Sequence, residues 1–99
     1  MKLYELKVHD RQHALDQNII LKHNDDSFSH EDIRGLIISA ECEIEDFIEE
    51  NYDDMNETMC NIADLYDDGF TLNAIADYLC EFNGFSRWYP SNKISVYID

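Results

Sequence analysis

Basic residues are what this chain has least of. It carries seven Lys and Arg against 22 Asp and Glu, a formal net charge of -15, and between residues 31 and 81 the only base is Arg34. A nucleic-acid-binding surface needs clustered Lys and Arg to neutralise phosphate, so that stretch is excluded as one. Proline occurs once and glycine three times, which excludes a linker or disordered tail and favours a compact fold with short connections. No apolar run approaches the roughly 18 residues that a membrane helix needs, and MKLYELKVHD lacks the apolar segment of a secretory signal. The three cysteines, Cys42, Cys60 and Cys80, are widely spaced and form no CxxC pair. They are expected to be reduced core thiols of a soluble cytoplasmic protein, not a disulfide framework. A glycine-rich phosphate loop and a Gly-x-Ser-x-Gly nucleophile turn are absent, and thiols beside many carboxylates are held in their unreactive protonated form. Together these absences point away from an enzyme.

What is present suits one domain over residues 1–99, with 44% hydrophobic residues to build a single core. KLYELKV alternates Tyr4, Leu6 and Val8 against Glu5 and Lys7, the period of a half-buried strand. NIILKH, residues 18–23, predicts a second strand, with DRQHALDQ as the connection. Ser29 as N-cap, Asp32 at N3 and Phe28 set against Ile33 predict a helix start. From there Ile33, Ile37, Ala40, Ile44, Phe47 and Ile48 recur at three- and four-residue steps, to about residue 51. A second helix is predicted to open with Asp54 as cap and Glu57 at N3, to turn Met55, Met59, Ile62 and Tyr66 inward, and to stop at Gly69. Thr71 is expected to cap a third, with Leu72, Ile75, Ala76, Leu79 and Phe82 as its stripe and Asn83-Gly84 as its end. In the tail, FSRWYPSNKISVYID, a turn at Tyr89–Asn92 precedes alternating Ile94, Val96 and Ile98, which predicts a hairpin. Trp88, Tyr89 and Tyr97 are assigned to its core or edge. The expected architecture is α+β in the order ββαααββ: a small antiparallel sheet from the N-terminal strands and the C-terminal hairpin, packed with three helices.

The segment ECEIEDFIEENYDD, residues 41–54, holds eight carboxylates in fourteen positions with no base. Helical steps of 100° put Glu43, Glu45, Asp46, Glu49, Glu50 and Asp53 around the arc opposite Ile44. Like charges then stand at i,i+4 in Glu41/Glu45, Glu45/Glu49, Glu49/Asp53, Asp46/Glu50 and Glu50/Asp54, each pair costing about 0.2–0.5 kcal/mol. The sum of about 1–2.5 kcal/mol is a noticeable share of a domain stability of about 5–15 kcal/mol. Asp67 and Asp68 add negative charge at the negative end of the second helix. Features that break local rules without local compensation are candidates for function. At a rise of about 1.5 Å per residue the segment carries one charge per roughly 2.6 Å, and duplex DNA carries one per about 1.7 Å of axis. A groove built for phosphate could accept such a surface. The bland alternative is a solvated face, but solvated faces usually mix signs. The candidate partner-binding residues are Glu43, Glu45, Asp46, Glu49, Glu50, Asp53, Asp54, Asp64, Asp67, Asp68, Asp77 and Glu81.

Metal chemistry finds little support. ADLYDDGF is similar to the first half of a calcium loop, with Asp64, Asp68 and Gly69 at positions one, five and six. Tyr66 and Ile75, however, take the third and twelfth positions, where ligands are needed. His9 and His13 stand four apart without a further ligand at zinc spacing. No cofactor, metal or catalytic residue is therefore assigned.

In size, charge and Tyr-bearing acidic helices such as EDFIEENYDD and NIADLYDD, the chain resembles the phage-encoded DNA mimics of the antirestriction and anti-CRISPR class. These share a physical character and no diagnostic motif, so no residue role carries over. The resemblance implies a non-catalytic inhibitor in the host cytoplasm that occupies the DNA-binding or PAM-reading surface of a defence nuclease. An antitoxin or immunity protein neutralising a basic nuclease toxin would use the same electrostatics. Separately, IADLYDDGFTLNAIADYL resembles the first two helices of the helix-turn-helix in resolvase-like and transposase-like domains, which implies a transcriptional regulator. That family continues into a basic recognition helix, whereas Asn83-Gly84 and Pro90 interrupt the chain here. The expected partner is a basic nucleic-acid-binding protein, with no direct binding to nucleic acid or membrane.

Overall fold

Alternation at the N-terminus produces β1, Lys2–Leu6, with Leu6 buried, Tyr4 half-buried and Glu5 exposed. The structure, a computed structural model, describes residues 2–6, 19–25 and 27–88. β1 pairs antiparallel with β2, Ile19–His23, placing Tyr4 opposite Leu21. The far side of β2 takes β3, Ser86–Trp88, with Leu21 opposite Arg87. β2 is thus the central strand of three. Side chains alternate across a strand, so Tyr4, Leu6, Ile19, Leu21 and Arg87 share one face, and Leu21 at its middle is fully buried. Ile20 and Trp88 oppose each other on the other face, both half-buried.

α1, His30–Glu49, starts where the capping box requires: Ser29 Oγ accepts the Asp32 N–H at 3.2 Å and Asp32 Oδ2 accepts the Ser29 N–H at 2.9 Å. Ile33, Ala40, Ile44 and Phe47 are buried along its stripe. α2, Glu57–Asp67, begins two residues later than the sequence predicts. Its cap is Asn56, whose Oδ1 accepts the Met59 N–H at 3.1 Å, and not Asp54. Upstream, Asp53 Oδ1 takes the Met55 N–H at 3.0 Å, a local turn that keeps the chain out of helix. Met55 is consequently outside the core and 88% exposed, while Met59, Ile62 and Ala63 fill the inner face.

Gly69 ends α2 as expected. At φ 90° it lets its own N–H reach the Tyr66 carbonyl (3.2 Å) and the Phe70 N–H reach the Leu65 carbonyl (2.9 Å), the paired bonds of a Schellman turn. That turn already fixes Phe70, which becomes the N-cap of α3, Thr71–Phe82, without a side-chain cap bond. Thr71 is the first helical residue and not the cap. Leu72, Ala74, Ile75, Ala76 and Leu79 are buried, but Phe82 leaves the stripe and is 53% exposed.

His23 closes the sheet against the helices. Its Nδ1 accepts the Asp25 N–H at 2.9 Å, so the proton sits on Nε2, which donates to the Asn83 carbonyl at the end of α3 (3.0 Å). Phe28 and Phe85 flank the ring edge-on at 4.9 and 4.7 Å. Gly84, at φ +76°, passes so close that a Cβ there would stand 3.1 Å from Nε2.

The architecture is α+β, a three-stranded antiparallel sheet with three helices. Its order among the described residues is ββαααβ and not the full ββαααββ. The turn at Tyr89–Asn92, the strand through Ile94, Val96 and Ile98, the connection DRQHALDQ, Val8, His9, His13 and Tyr97 lie outside the described residues. All three cysteines are free thiols, but Cys42 is exposed on α1 and not in the core; Cys60 and Cys80 are half-buried. No helix among the described residues is long and apolar enough to cross a membrane.

Candidate functional site

Helical geometry splits the acidic arc of α1 into two edges. With Ile44 inward, Glu41, Glu45 and Glu49 follow one flank of the apolar stripe and Glu43, Asp46 and Glu50 the other. The structure turns the first flank toward α2, where the Tyr66 hydroxyl donates to Glu45 Oε1 at 2.6 Å. This bond, then burial, then the charge of Glu45 push the Tyr66 pKa up to about 12. The second flank faces α3, where burial and then the charge of Glu43 raise the pKa of Tyr78.

Eleven of the twelve candidate carboxylates are exposed: Glu43, Glu45, Asp46, Glu49, Glu50, Asp53, Asp54, Asp64, Asp67, Asp68 and Glu81. Asp77 differs. It is half-buried and bonded to Arg87 Nη2 of β3 at 2.7 Å, so it helps dock α3 on the sheet. Glu45 and Asp53 also have local partners, Tyr66 and the Met55 N–H. Two expected repulsive pairs do not form in a helix, because α1 stops at Glu49 and the Glu49/Asp53 and Glu50/Asp54 spacings run past its end. None of the three helices has a base in its last turn, so each negative helix end adds to the carboxylate field.

Asp64 and Asp68, which gave the calcium-like spacing, lie on α2 and at its C-cap, so the segment is helix and not the loop that a calcium site of that spacing requires. No group of three or more metal-ligating side chains assembles among the described residues. The helix-turn-helix-like segment does form a helical hairpin, α2–Gly69–α3, but the chain then enters β3 and not a recognition helix. Burial is the leading cause that raises the Cys80 thiol pKa, with Arg87 opposing and Asp77 and Glu81 adding to it.

Where the C-terminal ends of α1 and α3 meet the first turn of α2, a cleft of about 240 Å³ opens. Phe47, Met59, Tyr78 and Phe82 form its walls, with Glu43, Asp46 and Asn51 as polar lining. Tyr78 and Phe82 stand one turn apart with ring centroids at 4.7 Å. Two of the cleft's acids were legible as candidates. Its aromatic residues were not, since Phe82 continues an inward-reading stripe and its exposure depends on where α1 ends.

The sequence matches no protein-family model, and no curated protein or solved structure matches it. The functional reading therefore stands on the charge, the cleft and the fold.

Proposed function

We propose that this chain is a non-catalytic acidic inhibitor that binds the basic nucleic-acid-binding surface of a nuclease complex, in the manner of a DNA mimic. One observation carries the proposal: eleven exposed carboxylates occupy the helical layer and its turns, and the ion pair with Arg87 neutralises only the twelfth, Asp77. A surface of this kind steers a basic partner from a distance and complements the Lys and Arg that would otherwise hold phosphate. It repels nucleic acid, which weighs against a transcriptional regulator.

Affinity capture from bacterial lysate, followed by mass spectrometry, identifies the partner; a defence nuclease supports the inhibitor and a small basic toxin the antitoxin variant. Calorimetric titration then compares the unmutated protein with Glu49→Lys/Glu50→Lys and Glu5→Gln. The double reversal is expected to weaken binding by roughly 2–5 kcal/mol, Glu5→Gln to leave it unchanged, added salt to weaken it and DNA to compete. Equal affinities for all three proteins, indifferent to salt, would remove the acidic layer from the interface.

A further inference from the structure

The cleft between α1, α2 and α3 combines features that the inhibitor reading does not require. Its volume of about 240 Å³ is below the roughly 300–1,000 Å³ of sites for drug-sized ligands, so it suits a single long side chain. Phe47 and Met59 are buried in its wall, while Phe82 exposes half its surface beside Tyr78. An aromatic pair left partly exposed at a helix end costs burial and offers a flat face. Glu43 and Asp46 line the same cleft, and no Lys or Arg among the described residues does. α1 and α3 both direct their C-terminal ends here, and neither end carries a base. Two carboxylates and two negative helix ends therefore act on one aromatic-walled space. Glu43 reaches Tyr78 electrostatically, its charge being the second cause of the raised phenol pKa.

A cation with a planar face and a long apolar stem fits all of this. We propose that the cleft is a socket for one arginine side chain of the basic partner: the guanidinium lies against Tyr78 and Phe82, its N–H groups donate to Glu43 and Asp46, and its stem rests on Phe47 and Met59. Stacking and forked donation favour Arg over Lys, whose ammonium is a more strongly hydrated point charge. The arginine's source rests on the proposed function, but the socket is a property of this chain alone and is testable without the partner.

The test is a ¹⁵N-¹H NMR titration of the full chain with three blocked tripeptides, Gly-Arg-Gly, Gly-Lys-Gly and Gly-citrulline-Gly, at physiological salt. The Arg peptide is expected to give saturable shifts centred on Phe47, Tyr78 and Phe82, with the other two at least roughly threefold weaker. Phe82→Ala and Glu43→Gln/Asp46→Asn alter exposed positions and should each abolish saturation, whereas Glu49→Gln, on the opposite flank of α1, should not. Shifts that spread over all the carboxylates without saturating would overturn the socket. So would equal affinity for the citrulline peptide, or an equal loss with Glu49→Gln. Capture of a nuclease without saturable Arg binding would sink the socket alone; saturable Arg binding without any basic nuclease partner would sink only the inhibitor.

Discussion

Tyr66 joins two acidic helices through a hydroxyl that donates to a carboxylate, and its ionisation would set two negative charges 2.6 Å apart. Its folded pKa of about 12 lies above the ordinary phenol value of 10.0, so the sign is fixed. The stability that this raised pKa represents is fully present below pH 10 and is lost as pH rises through about 12. Ultraviolet titration of the tyrosines is expected to show Tyr66 among several late phenols, Tyr52 and Tyr78 being raised as well, and Tyr66→Phe should delete the step at about pH 12 while destabilising the fold by about 1 kcal/mol. A step there that survives in Tyr66→Phe would mean that another phenol carries it. Gly84 gives a second residue-level test. Its positive φ strains any residue with a Cβ, and at 3.1 Å from that Cβ the His23 ring would have to give by a few tenths of an ångström, so Gly84→Ala should destabilise by roughly 1–3 kcal/mol in chemical denaturation. No change in midpoint would show that neither the backbone at residue 84 nor the His23 contact carries a cost.

Elements were legible where the determining contacts are local. The capping box of Ser29 and Asp32, the Schellman stop at Gly69 and the alternation of β1 each involve residues within six positions of one another. Cap choice failed where neighbours compete: Asp53, Asp54 and Asn56 are all acceptable caps, and the turn at Asp53 decides for Asn56. The roles of Asp77 and Phe82 depend on packing between distant segments, respectively Arg87 on β3 and the C-terminal end of α1, and no periodicity encodes that. α1 also tests the cost of its charges. Glu41/Glu45, Glu45/Glu49 and Asp46/Glu50 remain as repulsive pairs, so Glu49→Gln should raise stability by about 0.2–0.5 kcal/mol at low salt. Glu45→Gln relieves two of these pairs but weakens the bond from Tyr66, and is expected to gain less. Thermal denaturation of both variants checks the order. A larger gain for Glu45→Gln would show that the Tyr66 bond contributes less than one like-charge pair costs, about 0.2–0.5 kcal/mol.

Charge is unevenly spread among the described residues: Lys22 and Arg87 lie on the sheet and Arg34 is the one Lys or Arg on the three helices, while most exposed carboxylates crowd the helical layer and its turns. Such a layer repels itself at the distances between neighbouring helices, and the Debye length, about 30 Å at 0.01 M salt and 10 Å at 0.1 M, sets how much of that repulsion is felt. Added salt should therefore stabilise this fold. The three helical pairs together cost about 1 kcal/mol, and a domain of this size gains about 4–8 °C per kcal/mol, so raising NaCl from 10 to 300 mM is expected to raise Tm by a few degrees. The same field is expected to repel DNA. At 10 mM salt, where attraction of any basic patch to phosphate would be strongest, a labelled duplex should migrate unretarded with excess protein. The paired outcomes separate two accounts of the acidity. A Tm that rises with salt and no DNA shift belong to an uncompensated negative surface held ready for a cationic groove. A Tm indifferent to salt would mean that the carboxylates are already neutralised within the fold, and a retarded duplex would place a phosphate-binding site on this chain. Either result would overturn the electrostatic basis of the proposed function before any partner is known.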